Sequence, residues 1–167
     1  MQRPSSQSGY SVLELIVYIA LFAVISLVLI RSLVTVMKTY AAAQSYRALQ
    51  NNGELAMERI TRELREGTTV SASSCATTPG TLSISGTDAN NASHSAAFDV
   101  SGGVLRLATD GGSASALTTS EVTVSSLVFC SLSTPISTGI KTTMTLTTTK
   151  GVIMSTTFYS TTLLRGQ

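Results

Sequence analysis

Four acidic residues spaced 11 positions apart in the second half of the chain are the first candidates for chemistry: Asp88, Asp99, Asp110 and Glu121. Carboxylate oxygens are ligands that calcium prefers, so some of these side chains could share one ion. Glycines follow closely in Asp99-Val-Ser-Gly-Gly and Asp110-Gly-Gly. Acidic residues at successive turns are therefore the simpler interpretation. Calcium binding stays open as the alternative at Asp88, Asp99 and Asp110, and no other metal is predicted.

The single histidine and the lack of catalytic motifs give no indication of an enzyme. His94 lies in the polar stretch NNASHSAAF and is predicted to be a solvated residue of a surface loop. Covalent catalysis needs a nucleophile held beside a base, and the sequence contains no such set. A zinc site would need more ligands than this histidine and two distant cysteines. We expect no enzymatic activity and no cofactor.

The two cysteines, Cys75 and Cys130, are candidates for a disulfide. Disulfides persist in oxidising compartments and are rare in the cytosol. The pair is a possible disulfide if this part of the chain lies outside the cytoplasm, with two free buried thiols as the alternative. A bridge would close a loop of 56 residues and stabilise the fold by about 4 kcal/mol on the chain-entropy model.

Glu14 is the only charged residue between Arg3 and Arg31, and it leads directly into an apolar run. The 21 residues 10–30 would span about 31 Å as a helix, close to the thickness of a bilayer core. A carboxylate inside a membrane is costly and usually functional. The alternatives are a buried core helix and a secretory signal peptide. The sequence lacks two features of a secretory signal peptide, a strongly basic start and a small-residue cleavage site.

A long helix is predicted for residues 10–66, which contain no proline and one glycine. Residues 10–30 are apolar on all sides, whereas residues 31–66 become amphipathic. An apolar stripe follows helical spacing at Leu49, Gly53, Met57, Ile60 and Leu64. The other faces carry i,i+4 pairs, namely Glu58–Arg62, Arg59–Glu63 and Arg62–Glu66. We expect the stripe to pack on a sheet of the same chain, with Asn51-Asn52-Gly53 as a weak point.

Residues 67–167 are predicted to form a Ser/Thr-rich β domain. Forty of the residues 68–167 are Ser or Thr, a composition also found in disordered chains, but apolar residues alternate in several runs. These runs are TLSIS, GVLRLAT, EVTVSSLVFCSL, KTTMTLTTTK and VIMSTTFYSTTLLR. Residues 67–80 are predicted to be a break after the helix, and Lys150-Gly151 a hairpin turn. An antiparallel sheet with one buried face follows, and hence an α+β fold.

The hexapeptide Gly9-Tyr10-Ser11-Val12-Leu13-Glu14 resembles the cleavage and methylation motif of type IV prepilins and type II secretion pseudopilins. That motif consists of glycine, an aromatic residue, Thr or Ser, two aliphatic residues and glutamate, between a short polar leader and an apolar helix. Tyr10 stands where phenylalanine is commoner, and the leader has one arginine where several basic residues are usual. The resemblance covers residues 1–66. The stretch ELAMERITRELRE and the ending FYSTTLLR are similar to minor pseudopilins of the J type.

The resemblance implies a pilin-like fold with a cleaved leader at 1–9, a membrane and filament-core half-helix at 10–30, an amphipathic half at 31–66 and a globular domain at 67–167. A prepilin peptidase would cut between Gly9 and Tyr10, leave 158 residues and N-methylate Tyr10. Glu14 corresponds to the glutamate used in filament assembly.

The implied partners are other pilin or pseudopilin subunits, the prepilin peptidase/methyltransferase, an inner-membrane assembly platform, and lipid before assembly. The implied location is the bacterial inner membrane, crossed once, with the C-terminal domain extracytoplasmic. This orientation comes from the family, because the flanking charges do not favour it.

Two functions stay open at the level of sequence. The first is a minor pilin or pseudopilin of a type IV pilus or a type II secretion filament. The second is a membrane-tethered binding or adhesive domain that does not polymerise. Nucleic-acid contact is not indicated, because the net charge is only +2, no cluster of basic residues is present, and tryptophan is absent. The sequence does not distinguish a pilus from a secretion or competence filament.

Overall fold

The computed structural model describes residues 11–87, 92–134 and 137–164. In this part the chain forms one helix, α1 at Val12–Glu66, followed by eight strands. The strands are β1 Gly67–Ala72, β2 Leu82–Thr87, β3 Ser93–Ser101, β4 Val104–Thr109, β5 Ser115–Ala116, β6 Val122–Thr134, β7 Ser137–Thr148 and β8 Ser155–Leu163. A long N-terminal helix with antiparallel sheets confirms the predicted α+β class. The chain divides into two compact units, residues 1–40 and 41–167.

The described part of the first unit is helix with no buried face. Every large apolar side chain from Val12 to Met37 is at least 44% exposed. The most apolar 18-residue window of α1 has a mean hydropathy of 2.8 and contains no buried residue. The helix is therefore long and apolar enough to cross a membrane. Contiguous apolar surface of this kind is unfavourable in water and marks a site of contact with lipid or protein.

Two antiparallel sheets lie in the second unit, where the sequence had predicted one. Sheet A has the order β1-β2-β3-β4-β5, and sheet B has the order β6-β7-β8. Within each sheet, every strand pairs with the next one in the chain, so both sheets are meanders. Backbone hydrogen bonds connect the sheets: the N–H of Gly80 donates to the carbonyl of Leu127 at 2.7 Å, and that of Val124 donates to Gly103 at 2.8 Å.

The apolar stripe of α1 shares one core with both sheets. Its side chains at 49, 57, 60 and 64 are at most 9% exposed, and Gly53 is buried. Facing residues from both sheets belong to the same cluster: Leu82, Ile84, Phe98, Leu105 and Leu107 from sheet A, and Leu127, Phe129, Ile140, Met144 and Leu146 from sheet B. The predicted stripe and its packing on the chain's own sheets are confirmed.

The charged faces of α1 differ from the prediction in one respect. Arg59 pairs with Glu63 at 2.7 Å, and Arg62 with Glu58 at 2.8 Å. Arg62 does not pair with Glu66. Glu63 was expected on a face other than that of the apolar stripe, but its side chain is only 2% exposed. It follows Ile60 by three positions and therefore lies on the same face of the helix.

A bulge in β6 explains a change in the pattern of its apolar residues. Val122 and Val124 are buried at even positions, whereas Leu127 and Phe129 are buried at odd ones. The register with β7 shifts between Val124 and Ser126. One extra residue in a strand turns every later side chain to the opposite face. The buried side of β6 therefore stays continuous although the sequence period is interrupted.

Two segments predicted to be irregular are strands. β1 lies within the predicted break at 67–80, and β3 contains His94 and most of NNASHSAAF. β1 carries β-branched Thr and Val residues, which favour extended backbone, and it pairs with β2. β3 is paired on both sides, with β2 and β4. Cross-strand packing overrides the weak strand preference of its Ser and Ala residues.

Gly53 permits a close contact between α1 and β8. A β-carbon added at Gly53 would overlap the ring of Phe158. The preceding Asn52 also contacts the rest of the unit, because its side-chain oxygen accepts a hydrogen bond from the N–H of Thr119 at 2.8 Å. Its side-chain nitrogen donates to the carbonyl of Ala48 at 2.8 Å. The Asn-Asn-Gly segment, predicted to be a weak point, lies within an unbroken helix and contacts the surrounding β structure.

We expect Gly53→Ala to lower the free energy of unfolding by about 1–3 kcal/mol, because the added methyl group overpacks against Phe158. Helix propensity alone predicts the opposite sign, a gain of about 1 kcal/mol. Denaturant unfolding of the full chain in detergent micelles measures the difference.

Phe158→Leu provides the matched background for this experiment, since it removes the ring that the new methyl group would meet. In the Phe158→Leu background, the loss of unfolding free energy caused by Gly53→Ala should be at least about 1 kcal/mol smaller than in the wild type. A coupling of this size is expected for residues in contact. An equal cost in both backgrounds would show that the two residues do not constrain each other.

Candidate functional site

Glu14 lies in the first turn of α1, where a carboxylate is favoured by the partial positive charge of the helix N-terminus. Its N–H donates to the carbonyl of Ser11 at 2.9 Å, which begins the helical hydrogen bonding. One turn later, the hydroxyl of Tyr18 donates to Oε1 of Glu14 at 3.1 Å. The rest of the surrounding helix surface is apolar.

The carboxylate of Glu14 retains capacity for a further partner. An ionised carboxylate offers about four lone-pair positions for hydrogen bonds. Among the residues that the structure describes, Tyr18 is the one side chain that donates to it, and no cation pairs with it. A carboxylate placed at the edge of an apolar helix is therefore available to bind a positively charged group of another molecule.

Three of the sequence-predicted site residues lie outside the described residues: Gly9 and Tyr10, predicted for cleavage and methylation, and Asp88, a calcium candidate. The other two calcium candidates have basic side chains as partners. Asp99 pairs with Arg106, and Asp110 pairs with His94 at 3.0 Å. The structure therefore does not bring Asp99 and Asp110 to a common ion.

Cys75 and Cys130 are joined by a disulfide, with their α-carbons 4.5 Å apart. Cys75 lies in the connection between β1 and β2, and Cys130 lies in β6. The bridge therefore connects sheet A to sheet B by a covalent bond, in addition to the hydrogen bonds between them. A bond of this kind is typical of domains in oxidising compartments.

A cluster of charged groups surrounds His94, which the sequence had placed in a solvated loop. Nε2 of His94 lies 2.8 Å from Oε2 of the buried Glu63, and Nδ1 lies 3.0 Å from Oδ1 of Asp110. The other oxygen of Glu63 binds Arg59. The last turn of the helix is thereby connected to β3 and to the end of β4.

Hydrogen bonds within this cluster change two pKa values. The hydrogen bond with Glu63 raises the pKa of His94 above its usual value, and the charge of Asp110 adds to this against an opposing effect of burial. The pKa of Asp110 is lowered first by the N–H of Ser95, which donates to it at 2.9 Å, and further by His94. Asp110 adopts a positive φ of 52°, a conformation that Asp tolerates better than most residues.

Two signals in the sequence could have located the cluster. His94 shares its parity with Ala96 and Phe98, which are buried, so a period of two would have placed its side chain on the inner face of a strand. Glu63 falls within the helical spacing of the apolar stripe. Because both residues are polar, neither of them was predicted to lie in the core.

Comparison of the chain with models of protein families, with curated proteins and with solved structures found no match. The function must therefore be inferred from the residues of this chain and from their geometry.

We expect the free energy of unfolding of the double variant Cys75→Ser/Cys130→Ser to be about 4 kcal/mol lower than that of the wild type. This is the chain-entropy value for a closed loop of this length. The loss reflects the additional freedom of the unfolded chain. Denaturant unfolding of the full chain, purified without reductant, measures it.

The mass of the alkylated wild-type chain provides the chemical check. Alkylation after reduction should add two more labels than alkylation without reduction. Equal masses would show that the bridge does not form, and equal free energies of unfolding for the wild type and the double variant would show that it does not stabilise the fold.

Proposed function

We propose that this protein is a structural filament subunit, a minor pilin or pseudopilin assembled through its N-terminal helix into a type IV pilus or a type II secretion pseudopilus. The observation that carries the proposal is a single carboxylate, Glu14, placed five residues after Gly9 at the start of a helix that is apolar on every side. This arrangement corresponds to the prepilin cleavage and assembly motif.

The exposure of the first helical segment supports assembly. Residues 12–37 present apolar side chains in all directions, and water is a poor solvent for such a surface. Lipid can solvate it before assembly. The helices of neighbouring subunits can replace the lipid afterwards, because helix packing in an apolar medium depends on close contact and on satisfied polar groups.

Leader cleavage would create a positive partner for Glu14, which pairs with no cation among the described residues. Cutting after Gly9 produces an amine on Tyr10, and an α-amine has a pKa of about 7.7–8.0, so it is largely cationic at neutral pH. An unpaired carboxylate in an apolar bundle is costly, whereas a paired one is much less so. Pairing of each Tyr10 amine with Glu14 of a neighbouring subunit would set the axial register of the filament.

The disulfide supports an extracytoplasmic position for the β domain, since such bonds are rare in the cytosol. The proposed location is the bacterial inner membrane, crossed once by the N-terminal helix, followed by the filament. The proposed partners are other subunits, the prepilin peptidase/methyltransferase and the assembly platform. A tethered binding domain that does not polymerise is the alternative, and leader processing distinguishes the two.

The first test is cleavage of the leader. On co-expression with a prepilin peptidase, the chain should lose residues 1–9, and Gly9→Leu should block the loss because a large side chain adjoins the scissile bond. Mass spectrometry of the purified protein reads the new N-terminus. Gly9→Ala, which adds one methyl group, is the control and should be cut more completely than Gly9→Leu. A wild-type chain that retains its leader would reject the filament proposal.

The second test separates cleavage from assembly. Glu14→Gln should leave cleavage intact and reduce incorporation into filaments at least about tenfold, because loss of a buried ion-pair partner leaves the other charge unpaired. Immunodetection in sheared filament fractions measures incorporation. Tyr18→Phe is the matched control, because it removes the hydrogen bond to Glu14 and keeps the charge. Normal incorporation of Glu14→Gln would show that the carboxylate has no assembly role.

A further inference from the structure

We propose that Glu63, Glu66 and His94 form a binding site for a divalent transition-metal ion, with Zn²⁺ as the best match. Oxygen and nitrogen atoms of these three side chains lie within 4.8 Å of one another. Zinc bound by three protein ligands in a tetrahedral arrangement places those ligand atoms about 3.4 Å apart. Glu66 is exposed, so its side chain can move the small remaining distance.

The orientation of His94 is the feature that distinguishes this cluster from a group of surface carboxylates. Its Nδ1 is held by Asp110 at 3.0 Å, while Nε2 faces Glu63 at 2.8 Å. Metal-binding histidines commonly donate their second ring N–H to a carboxylate, which fixes the ring and the tautomer. Asp110 is therefore a positioning residue, and Nε2 is the atom that would bind the ion.

Backbone packing brings the ligands together from distant parts of the sequence. Gly86 of β2 lies opposite His94 of β3 in the sheet register. A β-carbon at Gly86 would lie 2.9 Å from the carbonyl oxygen of Glu66. The absence of a side chain there lets the end of α1 approach the sheet beside His94.

Charge also favours a cation at this position. Glu63 and Glu66 occupy the last turn of α1, where the helix dipole disfavours negative side chains. Three carboxylates, those of Glu63, Glu66 and Asp110, surround His94, and Arg59 is the one permanent cation paired with them. Among the described residues, Glu66 takes part in no ion pair.

The ligand types select the class of metal. One imidazole nitrogen with two carboxylates suits zinc better than calcium or magnesium, which prefer oxygen ligands alone. The side chain of His94 is 23% exposed and that of Glu63 is 2% exposed, so the ion would have one open side for water and one side closed by the protein. A bound ion would tie the last turn of the helix to sheet A.

Zinc chloride alone is the probe, titrated calorimetrically into the metal-free full chain in detergent micelles. We expect saturable binding of one ion per chain and a raised unfolding temperature. Glu66→Gln should weaken binding at least about tenfold, since it removes an ionised ligand. His94→Gln should do the same. Asp110→Asn should weaken binding about tenfold, as expected for a group that orients a ligand.

Glu58→Gln is the matched control, because Glu58 is an exposed carboxylate on the same helix that is paired with Arg62. It should bind zinc like the wild type. Glu66 is exposed, so loss of zinc binding by Glu66→Gln together with an unchanged metal-free unfolding curve would support the site without ambiguity about folding. Absence of zinc binding by the wild type, undiminished binding by Glu66→Gln and His94→Gln, or equal affinity for Ca²⁺ would each overturn the proposal.

Discussion

Leu49, Met57, Ile60 and Leu64 belong to one buried cluster with side chains from both sheets, so the second half of α1 and the two sheets share a single core. Removing the stripe would expose side chains of sheet A and sheet B at the same time. The disulfide and the backbone hydrogen bonds between the sheets add direct connections to this shared core.

The close approach of helix and sheet depends on small residues at defined positions. Gly53 leaves room for the ring of Phe158, and Gly86 leaves room for the last turn of the helix. Since protein interiors are close-packed, a single added methyl group at such a position must displace its neighbour. The same packing that buries the stripe carries Glu63 into the interior, where Arg59 and His94 bind it.

Glu14 and Glu63 illustrate two solutions to the cost of a carboxylate next to apolar surface. Glu63 has Arg59 and His94 as partners in its own chain, both within the second unit. Glu14 has a tyrosine hydroxyl and no cation among the described residues. A subunit that gains its missing charge partner only from a neighbour would be disfavoured alone and favoured in an assembly, which is the physical basis of the filament proposal.

Much of the architecture follows from local patterns: the long helix, the stripe, the helix end near Gly67 and most strands, because apolar periodicity and glycine placement are local signals. The Gly9–Glu14 motif and the apolar run are likewise complete in the sequence. Local spacing indicates an inward-facing strand position for His94 and the buried helix face for Glu63, but tertiary structure alone decided that the strands divide into two sheets and that His94 meets Glu63. These outcomes depend on which strands pair and on which helix face is buried, and such contacts join residues far apart in the chain. No local period encodes them, because the free energy that selects them comes from packing of the whole core.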